Sequence, residues 1–195
     1  MTKRPGERQA NRSRTALKSA FKELLQDKSY GDISVGEIAD RADIGRSTFY
    51  RHFNGKADVL IGLHEEIFGH IFLGADSREK WLSEEPSEAL KTFWVHHHLS
   101  SGPMVSLSGD IGADADYLML NVTRLLTMYI EKGLRQAFSD QESSVPLSVL
   151  ASSIAGIYVM ILMSWKSAFR ELDGHEMARH VQRLTRAVVG ESFDF

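Results

Sequence analysis

The chain has no cysteine among its 195 residues. That absence excludes a disulfide scaffold, Cys-ligated zinc or iron–sulfur sites, and a thiol nucleophile. The N-terminus is basic and polar with no apolar run, so a secretory signal is not expected there. No G-x-S-x-G, P-loop, G-x-G-x-x-G or H-E-x-x-H pattern occurs, which leaves nucleophilic, nucleotide and zinc-hydrolase chemistry without support. Strand-type alternation, internal repeats and low-complexity tracts are lacking as well. What remains is 43% apolar and 25% charged residues, the balance of a soluble globular protein. The expectation is a cytoplasmic chain with no cofactor and no membrane partner. The longest apolar stretch, from Leu147 to Trp165, approaches bilayer-spanning length, but Ser148, Ser152, Ser153 and Ser164 interrupt it. A buried helix is expected.

Charge is unevenly placed. Residues 1–56 carry a net +5 and residues 57–195 a net −8, within an overall −3. A basic first quarter on an acidic body points to a polyanionic partner for the former. In the first 14 residues Lys3, Arg4, Arg8, Arg12 and Arg14 face only Glu7.

Apolar residues recur at helical spacing. Leu17, Ala20, Phe21, Leu24 and Leu25 mark a first helix over about Gln9–Gln26. Ser34 and Glu37 form a capping box for a second, with Val35, Ile38, Ala39 and Ala42 inward. Asp43-Ile44-Gly45 then supplies a turn, and a short third helix runs from Arg46 to His52 over Phe49 and Phe53. After Asn54-Gly55 a fourth helix starts near Lys56 and reaches about Leu73. Further helices are expected within Glu79–Leu99, then over Ala113–Phe138, Leu147–Leu172 and His175–Val189, with a loop over Ser100–Gly112. The fold expected is all-α.

Two short helices joined by a tight turn, with polar residues opening the second, make a helix-turn-helix. The second helix fits the DNA major groove, where its first residues reach base edges. Arg46, Ser47 and Thr48 occupy that position, Arg46 being suited to guanine and Thr48 to a base or a thymine methyl. Phe49 must point inward. Tyr50, Arg51 and His52 suit phosphate oxygens, as do Lys56 at the next helix start and Ser34 at the start of the second helix.

The run from Ser34 to Phe53, followed by Lys56 and Leu60, resembles the DNA-binding domain of the TetR family of bacterial regulators. Its Ile38-Ala39 before the turn and its Tyr50, His52, Phe53 and Lys56 carry the likeness, over residues 8–62. Two positions depart from the family pattern: Asp43 stands where glycine is common, and Gly45 where Ser or Thr often caps the recognition helix. The resemblance implies phosphate contacts by Tyr50, His52 and Lys56, and a base or phosphate contact by Thr48. It implies a three-helix DNA-binding domain with its basic arm over residues 1–56. A helical effector-binding and dimerisation bundle would follow over residues 57–195. It further implies a ligand-responsive repressor that binds a palindromic operator of double-stranded DNA as a homodimer.

Dimerisation through the last two long helices would set the recognition helices one DNA turn apart, about 34–36 Å. Ile154, Ile157, Ile161, Trp165, Val181, Leu184 and Val188 are the interface residues this implies. An effector pocket would draw its walls from Trp94, His97, Met104, Met119, Tyr129, Tyr158, Met163 and Trp165, although such residues at helical spacing serve equally as plain core. An enzyme is disfavoured. His96-His97-His98 point about 100° apart along a helix and cannot share one metal. The second alternative is a TetR-like co-regulator acting through a protein partner; the polar face of the third helix favours DNA.

Overall fold

A computed structural model of the chain describes residues 5–99 and 111–193. Among the described residues the regular elements are helices, as expected, joined by 3-10 turns. They fall into two compact units, one built from residues 5–65 and 111–119, the other from 66–99 and 120–193.

The first unit opens with α1 (Pro5–Asp27). This helix begins four residues ahead of the expected Gln9, because proline at the first turn lacks only an N–H that would go unpaired there anyway. A 3-10 turn over Tyr30–Asp32 leads to α2 (Val35–Arg41), α3 (Arg46–His52) and the first turns of α4 (Lys56–Ile71). Leu17, Phe21, Tyr30, Ile38, Phe49 and Leu60 are fully buried together, and Ile111 and Leu118 join the same core from the middle of the sequence. Each such side chain contributes roughly 1.5–3 kcal/mol by leaving water.

His64 on α4 is also fully buried, and its Nδ1–H donates to the Leu60 carbonyl at 2.8 Å. Burial holds its imidazole down at about 4, against a backbone hydrogen bond that raises it. The unfolded chain takes up this proton near pH 6.5 and the folded chain does not. Stability is therefore complete above pH 6.5 and falls as pH drops towards 4, by about 3 kcal/mol from this group. Urea midpoints at pH 7 and pH 4.5 should separate widely for the parent and much less for His64→Gln; equal separations would exclude this origin.

The second unit holds α5 (Arg78–Leu82), α6 (Glu88–Leu99), the later turns of α7 (Ala115–Ala137), α8 (Leu147–Ala168) and α9 (Gly174–Ser192). Pro86 separates α5 from α6, as its missing N–H requires. Asp173 caps α9 through a capping box with Glu176. α9 packs on α5, α6 and α8. Gln182 ties it down further by donating to the Lys80 and Ser83 carbonyls at 3.2 and 2.9 Å. Trp94 sits fully buried between Trp165 and Tyr158, with ring centroids 5.4 and 6.4 Å away.

Candidate nucleic-acid interface

The turn before α3 is built by local rules. Ala42 ends α2 with its N–H on the Ile38 carbonyl, and Ile44 N–H reaches the Ala39 carbonyl at 2.9 Å. Closing the chain this way requires a left-handed residue, and Asp43 supplies it at φ 53°. Aspartate is among the few residues other than glycine that visit this region routinely. Gly45 caps α3 with extended backbone, its carbonyl accepting from Thr48 and Phe49 N–H at 2.9 and 3.0 Å. With no side chain it leaves no capping hydroxyl.

α3 is thereby turned so that Phe49 is buried, its ring edge-on to Tyr50 at 5.4 Å and tilted against Phe53 at 6.0 Å. Arg46, Ser47, Tyr50 and Arg51 stand in solvent, while Thr48 and His52 are half-buried. Tyr50 is 58% exposed, a large aromatic ring left mostly in solvent beyond its edge contact with Phe49. The Arg46 guanidinium lies along α2, where a Cβ on Gly36 would come within 2.6 Å of it. On α1, Arg8 and Arg12 are exposed and Arg14 lies over the Phe53 ring at 5.3 Å; Lys3 and Arg4 lie outside the described residues.

Two predicted residues have their side chains committed inside the unit. Ser34 Oγ accepts from Glu37 N–H at 3.2 Å and donates to the Glu37 carboxylate at 2.9 Å. The Lys28 ammonium, with the Ser34 bonds, holds that carboxylate down at about 2. Lys56 extends its ammonium onto the carbonyls of Tyr30, Gly31 and Ile33 at 2.8, 3.3 and 2.9 Å, over the Tyr30 ring at 4.4 Å. All three donors of the ammonium thus hold the turn before α2. What Lys56 presents outward is the start of α4.

Sequence reasoning missed four side chains here. The Tyr30 hydroxyl donates to Asp114 at 2.6 Å, and the Tyr117 hydroxyl to Asp58 at 2.7 Å. These partners are 84 and 59 residues apart, so no spacing signal could pair them.

In the second unit the suggested effector residues scatter. Trp94 and Trp165 belong to the packed core, with Trp165 Nε1 donating to the Leu172 carbonyl. Met163 is exposed, Tyr129 is half-buried, and Met119, half-buried too, belongs to the first unit. Met104 and the His97 side chain lie outside the described residues. Tyr158 lines a recess, together with Phe72, Trp81, Leu90, Gln182 and Thr185. Burial pushes the Tyr158 phenol up to about 12, so it remains a donor at neutral pH.

Of the suggested interface residues, Ile154, Trp165 and Val181 are buried within their own unit. Ile157, Ile161 and Val188 are half-exposed and Leu184 is exposed; Val149 and Met160 join them on the outside. From Leu147 to Trp165 α8 is long and apolar enough by composition to cross a membrane, yet only 39% of that stretch is buried.

Residues 18–63 match the family model described as bacterial regulatory proteins, tetR family. A dhaKLM operon transcriptional activator, DhaS, of Lactococcus lactis is 32% identical over 68 residues, 35% of this chain and 36% of that protein. The transcriptional regulator EthR of Mycolicibacterium smegmatis is 30% identical over 76 residues, 39% of this chain and 35% of its own length. The chain thus spans about a third of the length of the curated relatives it matches. The fold extends further. Thermus thermophilus FadR, a TetR-family transcriptional repressor solved with lauroyl-CoA, superposes with a TM-score of 0.63 over 88% of this chain and 92% of its own, at 17% identity. These proteins are transcriptional regulators, not enzymes.

Proposed function

We propose that this chain is a member of the TetR family of bacterial regulatory proteins, whose family model its residues 18–63 match, and a transcriptional regulator that binds double-stranded DNA through α3. The observation carrying this reading is the division of α3 into a buried Phe49 and an outward row of Arg46, Ser47, Tyr50 and Arg51. A seven-residue helix with that row fits the major groove. Arg46, Ser47 and Thr48 would meet base edges, and Tyr50, Arg51 and His52 would meet phosphates. Lys56 would contribute the N–H groups of α4 rather than its ammonium, and Ser34 those of α2.

The working form proposed is a homodimer. The exposed apolar face of α8, from Val149 through Ile157 and Met160 to Ile161, with Leu184 and Val188 of α9, gives a second copy a self-complementary surface. Two recognition helices then read the half-sites of a palindrome. A small-molecule effector that prefers a different spacing of those helices would release the operator by its differential affinity alone. The lauroyl-CoA in FadR supports a ligand of this kind. The recess beside Tyr158 has only about 40 Å³ of free interior. An engineered cavity that admits benzene measures about 150 Å³, so an organic effector entering this recess would have to part its walls. Repression is the proposed direction, and the cytoplasm the proposed location.

Capture of genomic fragments by the purified chain tests the reading. Bound fragments should share two inverted half-sites about one helical turn apart. Their affinity should fall by roughly a thousandfold or more between 50 and 200 mM salt if six or more phosphates are contacted. Recovery of a protein partner without any enriched fragment would favour the co-regulator instead.

A further inference from the structure

We infer that Asp114 and Tyr117 are positioning residues for duplex binding, clasping the start of α7 onto the link that leaves the recognition helix; this rests on the DNA-binding reading of α3. The link is short. α3 ends with Phe53 N–H on the Phe49 carbonyl, and α4 begins at Lys56. Asp58 governs it with both carboxylate oxygens. Oδ2 accepts from the Asn54 backbone N–H and side-chain amide, each at 2.9 Å, and Oδ1 accepts from the Tyr117 hydroxyl at 2.7 Å. Two residues before Asp58, the Lys56 ammonium reaches the Tyr30 carbonyl, and the Tyr30 hydroxyl reaches Asp114 at 2.6 Å.

The exit of α3 is therefore held at Asn54 and at Lys56 by two relays that end three residues apart, on Tyr117 and Asp114. Ile111 and Leu118, buried in the core of the same unit, anchor that segment. Both phenols are held above their ordinary range, Tyr30 mainly by burial and then by Asp114, Tyr117 mainly by its bond to Asp58. They stay protonated and keep donating throughout neutral pH. Hydrogen bonds to a charged acceptor are among the stronger ones. Residues remote in sequence from α3 thus fix the angle at which its outward row meets a groove, and small misplacement of such a row forfeits several contacts at once.

The test measures duplex affinity at 25 °C, on a fragment captured by the parent, for Tyr117→Phe, Asp114→Ala and Asp114→Asn, with circular dichroism establishing that each is folded. Tyr117→Phe and Asp114→Ala should each bind about tenfold more weakly. The salt slope should not change, since no phosphate contact is lost. Asp114→Asn, which keeps an acceptor oxygen, should recover to within about threefold of the parent. A role in stability alone would lower melting temperature and leave affinity within twofold of the parent, and that result overturns the inference. So would a salt slope reduced by about one in Tyr117→Phe, which would make Tyr117 a phosphate contact. A parent that captures no duplex would overturn the DNA-binding reading itself.

Discussion

Gly174→Ala should destabilise the second unit by about 3 kcal/mol, the upper end of what overpacking a core by one methyl costs. The reason is what the new methyl would meet. A Cβ at position 174 would lie 2.5 Å from Val95 Cα, 2.7 Å from Val95 N and 2.8 Å from the Trp94 carbonyl oxygen. All three are backbone atoms of α6, and no rotamer change can move them aside. Relief would require α6 and α9 to separate, which would unpack Trp94 from Trp165 and Tyr158. In a chain of this size the melting temperature should fall by about 6–12 °C. Gly190→Ala is the matched control on the same helix, because nothing lies within 4 Å of its Cβ position. That change should be neutral or stabilise by up to about 1 kcal/mol. A loss below 1 kcal/mol for Gly174→Ala would mean that the two helices do not approach as closely as described.

Met160→Glu should convert the proposed dimer into a monomer. Met160 is 62% exposed at the middle of the outward apolar face of α8, so a lone subunit tolerates a carboxylate there. Across a two-fold interface the same substitution buries two like charges near each other, at several kcal/mol apiece. Sedimentation should show the dimer dissociation constant rising by at least about a hundredfold. Duplex affinity should fall with it, since the second half-site is no longer delivered at high local concentration. Equal mass for parent and variant would remove α8 from the interface.

The contrast between these two helices illustrates how far sequence patterning reaches. The helix-turn-helix was legible to the residue: Ser34 with Glu37 fixes the start of α2, Asp43 marks the left-handed turn, and Phe49 identifies the inward face of α3. Each signal acts within four residues of its effect. On α8 the apolar residues run all round, so nothing in the pattern says that Ile154 faces inward and Met160 outward. For the same reason Trp94 and Trp165 could be read as pocket wall or as core, and the pattern does not anticipate that their rings pack 5.4 Å apart. Lys56 illustrates a third limit. Its position at a helix start suggests a phosphate contact, but its ammonium is taken by carbonyls 23 to 26 residues earlier, which no local rule anticipates. Tyr30, Asp58, Asp114 and Tyr117 were invisible on the same grounds.

The decisive measurement compares the base preferences of the parent with those of Arg46→Ala and Ser47→Ala, by repeated capture from a randomised duplex pool at fixed salt. If the start of α3 reads bases, each substitution should change the preferred base at one position of both half-sites and leave their separation unaltered. Arg51→Ala should weaken every sequence about equally in the same pool. Identical preferences for all of these proteins would place base recognition somewhere other than α3.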